Sequence, residues 1–207
     1  MENKNDLVCR KKGELTKVGE VELVEKLSNE VRFDVRELNR LMSIYKKYLK
    51  DDSWYMDQHV FSEVLHNSLG FTDDFFMKRI FYATDLDKDR RISMEEFIRV
   101  VAVMLRGTME EKIKLCFTCF DINDNMELTR EDVTALLLEA VSEPPTRDSS
   151  ADALRDLVEL IFSKLDEDGD GIITYEEFEK VCLKDWAVME MFGQCLPDHR
   201  VSDHFFF

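Results

Sequence analysis

Three stretches of this 207-residue chain place oxygen-bearing side chains at the spacing that a divalent cation requires. In a twelve-residue calcium loop the ligands stand at positions 1, 3, 5, 7, 9 and 12. Position 7 gives its backbone carbonyl, and a glutamate at position 12 is long enough to bind through both oxygens. Residues 166–177 meet every requirement: Asp166, Asp168, Asp170, the Ile172 carbonyl, Thr174 directly or through water, and Glu177. Gly171 at position 6 allows the positive φ of the sharp turn. The competing reading, an acidic turn between two helices, does not explain so complete a set.

Residues 85–96 keep the ligand types: Asp85, Asp87, Asp89, the Arg91 carbonyl, Ser93 and Glu96. Arg90 stands where glycine is favoured, a strain of order 1 kcal/mol. Lys88, Arg90 and Arg91 also put positive charge beside a bound cation. Residues 121–132 supply Asp121, Asn123, Asn125, the Glu127 carbonyl, Thr129 and Asp132. Here two ligands are uncharged, Met126 replaces the turn glycine, and Asp132 is one methylene shorter than glutamate. That set suits Mg²⁺ better than Ca²⁺, and the loop is expected to be structural and metal-poor.

These loops need helices on both sides. They begin at Asp85, Asp121 and Asp166, which are 36 and 45 residues apart, and the extra nine match a polar linker at 142–150. Phe75, Phe76, Ile80 and Phe81 have helical spacing before Asp85, with Thr72 as the expected N-cap; Phe97, Ile98, Val101, Met104 and Leu105 follow it. Thr108 with Glu111, and Ser149 with Asp152, predict capping boxes for the helices entering the next two loops. The second of those helices carries Leu154, Leu157, Val158, Ile161, Phe162 and Leu165.

A fourth unit lies upstream. Asp34 and Glu37 open a helix with Leu38, Leu41, Met42, Tyr45 and Tyr48; another with Val60, Phe61, Val64, Leu65 and Leu69 ends at Gly70. The loop between them, 49–60, starts with Leu49 and ends with Val60, so it is a degenerate hand. A single helix-loop-helix cannot bury its apolar face alone, and position 8 is apolar in every unit: Met56, Ile92, Leu128 and Ile173. Cross-strand pairing at those positions predicts an all-α EF-hand fold of two lobes. They span 33–106 and 107–193, with a helical extension at 1–32 and a tail at 194–207.

Composition agrees. The chain is 44% hydrophobic with only 7 Gly and 3 Pro, which favours helices. No apolar run approaches the ~18 residues of a spanning helix, no signal pattern opens the chain, and Glu2 excludes N-myristoylation. A soluble, cytoplasmic protein without a membrane partner is expected. The net charge is −16, and residues 107–207 hold 24 acidic side chains against 9 basic ones. Such a half repels phosphate backbones, which argues against nucleic acid, and suits a cation or a basic protein surface. The five cysteines (Cys9, Cys116, Cys119, Cys182, Cys195) read as free thiols, with the CxxC of Cys116 and Cys119 in a helix core. No catalytic residues emerge: His59, His66, His199 and His204 join no nucleophile, and the clustered acids are explained as metal ligands.

The flanks are more specific than the loops. The stretch Leu105-Arg106-Gly107-Thr108 through Cys116-Phe117 to Phe120-Asp121 resembles calaxin-like proteins, of the neuronal-calcium-sensor-like branch. So do Asp156-Leu157-Val158-Glu159, Phe192-Gly193-Gln194-Cys195-Leu196-Pro197-Asp198, and Phe71-Thr72-Asp73-Asp74. The resemblance covers most of the chain, which departs from the pattern at Arg90, Met126 and Asp132. It implies a cytoskeletal protein of the ciliary or flagellar axoneme that tunes dynein motility with calcium. The partners it implies are the outer-arm dynein heavy chain, docking-complex coiled coils and tubulin. In such a protein Glu177 reaching toward the ion rotates the helix it opens and exposes a groove. Its expected lining is Phe117, Phe120, Leu136, Leu137, Phe162, Phe178, Val181 and Met189, with Phe205–Phe207 as a docking tail. A calcium-insensitive light chain and a calcineurin-B-like regulatory subunit are the rival readings.

Overall fold

Helices begin where a side chain can accept the unpaired N–H groups of a first turn. The structure, a computed structural model, describes residues 17–49, 53–140 and 148–198. Helix α1 (Lys17–Ser28) precedes α2 (Val35–Tyr48), which opens on a capping box of Asp34 and Glu37. Helix α3 (Gln58–Leu69) is capped by Asp57 and ends at Gly70, whose φ of 75° is left-handed. Helix α4 (Asp74–Thr84) leads into the loop at 85–96, and α5 (Met94–Arg106) leaves it through a Ser93–Glu96 box. Helix α6 (Met109–Phe120), boxed by Thr108 and Glu111, leads through strand β1 (Glu127–Thr129) to α7 (Arg130–Ala140). Helix α8 (Asp148–Leu165), strand β2 (Ile172–Thr174), α9 (Tyr175–Cys182) and a 3₁₀ turn (Trp186–Glu190) follow.

The chain has the all-α EF-hand fold, and its hands pair as the position-8 residues predict. Leu128 lies opposite Ile173 in an antiparallel register that also matches Glu127 with Thr174. Met56 bridges Ile92, with N···O distances of 3.0 and 2.8 Å. All four residues are fully buried. The degenerate hand therefore supplies a strand contact although Leu49 and Val60 leave its loop without the first and last oxygen ligands. The Tyr45 hydroxyl is directed at the carbonyls of Trp54 (3.0 Å) and Ile92 (2.8 Å), tying α2 to the bridge.

Two start signals fall elsewhere. The cap of α4 is Asp73, whose carboxylate accepts the Phe76 N–H at 3.0 Å; Thr72 lies one residue outside. A charged acceptor there also complements the helix dipole. Ser149 does not precede α8 but lies in its first turn, because the helix already runs from Asp148 and shortens the expected linker. Cys9, the rest of that linker and Phe205–Phe207 lie outside the described residues.

An aromatic chain ties the two pairs of hands together. Phe76 of α4 meets Phe120 of α6 edge-on at 6.1 Å, and Phe120 meets Phe178 at 6.1 Å and Phe192 at 4.9 Å. The expected groove residues are core: Phe117, Phe120, Leu136, Leu137, Phe162 and Phe178 are buried and Val181 is half-buried. Met189 belongs to the segment that covers them, together with Val188 and Phe192. That segment packs on α6 and α9. Gly193 is seated where a Cβ would lie 2.0 Å from the Phe76 ring, so no larger residue fits without displacing it.

Candidate functional site

The loop at 166–177 hangs between α8 and α9. The Asp166 carboxylate accepts the N–H of Gly169 at 2.7 Å and of Gly171 at 3.0 Å. Both glycines take positive φ, 75° and 86°, at no steric cost. Asp168 and Asp170 accept the N–H groups of Asp170 and Ile172 at 3.1 and 2.8 Å, which holds the turns of the loop. Glu177 sits in the first turn of α9, boxed with Thr174. One of its oxygens accepts from the Thr174 N–H (2.9 Å) and hydroxyl (2.7 Å); the other crosses the loop to the Glu167 N–H at 2.8 Å. Oxygens of Asp166, Asp168 and Glu177 lie within 4.8 Å of one another. A set of hard oxygens on a glycine-turned loop fits Ca²⁺. Partial burial pushes the Glu177 carboxyl up, but hydrogen bonds from Thr174, Glu167 and Asp168 outweigh it and hold it below the ordinary glutamate value. The carboxyl is ionised and ready for a cation at neutral pH.

The loop at 85–96 repeats that pattern. Glu96 accepts from Ser93 N–H and hydroxyl at 2.8 and 2.7 Å, and from the Leu86 N–H across the loop at 3.0 Å. Oxygens of Asp85, Asp87 and Asp89 lie within 4.8 Å of one another. The turn costs more here. Lys88 and Arg90 both have positive φ, 59° and 64°, in the positions that Gly169 and Gly171 fill. Two of the three basic side chains have other partners. Lys88 pairs with Asp124 of the neighbouring loop, and Arg91 lies over the Tyr55 ring at 5.6 Å.

The loop at 121–132 diverges at its last residue. One Asp132 oxygen accepts from Thr129 N–H and hydroxyl at 3.0 and 2.8 Å, as the glutamates do. The other does not bond the N–H at position 2; it accepts the Asn123 side-chain amide at 2.7 Å. A ligand at position 3 thus closes the loop directly onto the ligand at position 12. Asp121 accepts the N–H groups of Asn125 (3.2 Å) and Met126 (2.7 Å), while Asp124 and Met126 hold φ of 55° and 64°. Asp121 and Asp132 are buried. Asn125 accepts the Glu127 N–H at 3.2 Å, and Thr129 opens onto α7.

Two residues that are not ligands shape the site through contacts that carry no sequence signal. Arg79 of α4 donates to the carbonyls of Cys119 (2.8 Å) and Asp121 (2.6 Å), fixing the end of α6 and the first residue of its loop. Lys88 then joins the two middle loops, although both read as separate units in the sequence. Lys88 and Asp124, at position 4, also hold positive φ. Gly169 marks the need for it, since only the glycine-bearing loop has the residue that this conformation favours.

Comparison with known proteins places these features in a family. Residues 110–183 match the EF-hand domain pair, and residues 77–101 match an EF hand. Calaxin of Xenopus laevis is 37% identical over 145 residues, covering 70% of either chain. Calaxin of Danio rerio is 32% identical over 184 residues, 86% of this chain and 88% of the relative. The calcium-binding protein NCSA of Dictyostelium discoideum is 36% identical over 117 residues, 56% of this chain and 61% of the relative.

Proposed function

The chain belongs to the calaxin family of EF-hand calcium-binding proteins, and from that premise we propose that it is a calcium-responsive regulatory adaptor of the axoneme. The place of action is the cilium or flagellum, on outer dynein arms and their docking complex. The single observation that carries the calcium response is the crossing of Glu177 from α9 to the Glu167 N–H, which brings its carboxylate among those of Asp166 and Asp168. When bound, a calcium ion supplies the positive charge that three convergent carboxylates otherwise lack.

The chain's own residues connect that charge to the fold. Glu177 caps α9 and closes the loop at once, so the position of its carboxylate sets the pitch of α9. Phe178, the next residue, packs on Phe117 at 5.4 Å and Phe120 at 6.1 Å. Phe120 in turn holds Phe192 of the covering segment. A shift of α9 is therefore felt by the residues over the groove. Loop 85–96 is a second, weaker calcium site, with the same glutamate crossing but two non-glycine residues at positive φ. Loop 121–132 is a metal-free clasp, held by Asn123 and Asp132 in place of Ca²⁺ or Mg²⁺.

Co-sedimentation of the full chain with isolated axonemes, with calcium and with chelator, tests the reading. Binding to dynein or docking-complex components that changes with calcium, and loses that change in Glu177→Gln, supports it. Equal binding in all conditions favours a constitutive light chain. That second reading rests on the degenerate hand, which pairs through Met56 and Ile92, and on the clasped loop, which Asn123 and Asp132 close. Recovery with an enzyme instead of axonemal proteins overturns both.

A further inference from the structure

The buried thiols are a reactive group that the metal loops leave unused. Cys116 and Cys119 lie one turn apart on α6, Cys182 ends α9, and Cys195 lies in the covering segment; all four are free and buried. The Cys195 thiol lies within hydrogen-bonding reach of those of Cys116 and Cys119, and the contact with Cys116 is reciprocal. The segment is otherwise held by noncovalent contacts alone. Phe192 lies on Phe120, Gly193 fits against Phe76, and Glu190 accepts the N–H groups of Cys195 (3.0 Å) and Leu196 (2.9 Å). That last pair of hydrogen bonds closes the turn that presents Cys195 to α6.

We propose that Cys116 and Cys195 form a redox latch, in which a disulfide between them fastens residues 186–198 to α6. The oxidant is a small-molecule disulfide of the glutathione class. The Cys195 thiolate attacks one sulfur of oxidised glutathione, breaking its S–S bond and releasing one glutathione thiolate. The Cys116 thiolate then attacks the Cys195 sulfur of the mixed disulfide, forming the protein disulfide and releasing the second glutathione thiolate. The two protons given up by the protein thiols end on the two glutathione molecules. Burial raises both protein thiols above their ordinary range, so neither reacts while the segment is seated. The first exchange therefore requires the segment to lift, and the second takes place as it returns. The resting state in a reducing compartment is the dithiol, as found for intracellular redox-sensing pairs. The latch joins the 3₁₀ segment to the helix that enters loop 121–132, and it stands whether or not loop 166–177 binds calcium.

The test is exposure of the full chain to oxidised glutathione, followed by thiol counting and peptide mapping by mass spectrometry. The latch predicts loss of two of the five thiols, no retained glutathione, and a crosslinked peptide pair containing Cys116 and Cys195. Cys195→Ser should lose that crosslink, whereas Cys182→Ser should keep it. Direct mapping of the unmodified sequence decides the matter even if Cys195→Ser folds poorly. Retention of all five thiols, a stable glutathione adduct on Cys195, or a crosslink joining any other pair overturns the proposal.

Discussion

Loops 121–132 and 166–177 share one β-bridge, yet they solve the same problem differently. In each, the position-12 carboxylate accepts the N–H and hydroxyl of the position-9 threonine. The remaining oxygen separates them. Glu177 is long enough to cross to the Glu167 N–H and join Asp166 and Asp168. Asp132 is shorter, and the Asn123 amide spans the gap to it. Hand pairing and metal binding are therefore separable: the strand contact needs apolar position-8 residues, whereas a metal is favoured by a long final carboxylate and, for a turn without strain, by glycines.

The sharpest way to break the comparison is Glu177→Gln. Loss of a bidentate charge should weaken calcium binding at 166–177 by roughly 100-fold, read by calorimetry. Little change would mean the site lies elsewhere. The converse experiment rebuilds the clasp as a site, with Asn123→Asp, Met126→Gly and Asp132→Glu together. One additional calcium ion per chain is expected, and an unchanged stoichiometry would contradict the account of why this loop fails.

Arg90→Gly addresses the intermediate loop. Relief of about 1–2 kcal/mol of left-handed strain, with removal of a nearby positive charge, should tighten calcium binding at 85–96 about tenfold. Asn123→Ala should destabilise the protein by about 1 kcal/mol in denaturant without altering calcium stoichiometry. A drop in stoichiometry would show that Asn123 serves as a ligand.

The smallest effect concerns pH. Glu177 is depressed in the folded state, so its contribution is present above the unfolded glutamate value of about 4.3 and is lost as pH falls through the folded value. In chelator, stability should therefore fall more steeply below that range than in Glu177→Gln. Parallel curves would remove the hydrogen-bond account of the shift.

Much of this was legible from local signals. The helix starts at Asp34 and Thr108, the apolar position-8 residues and the three loop registers all depend on short spacings. The Thr72 and Ser149 assignments failed by a residue or two, because neighbouring polar residues compete to cap a helix. What the sequence could not display depends on distant segments meeting. Arg79 reaches α6 across 40 residues, Lys88 reaches Asp124 across 36, and the groove residues are covered by the chain's own Met189 and Phe192. The shared helical spacing of groove and core residues gives no sign of which will be covered.

The most direct test is calorimetric titration of the full chain with calcium, alongside Glu177→Gln. The account predicts one tight ion that the substitution removes, a second, weaker ion at 85–96 that it leaves, and none at 121–132. A tight ion that survives in Glu177→Gln, or no binding by the unmodified chain, would contradict it.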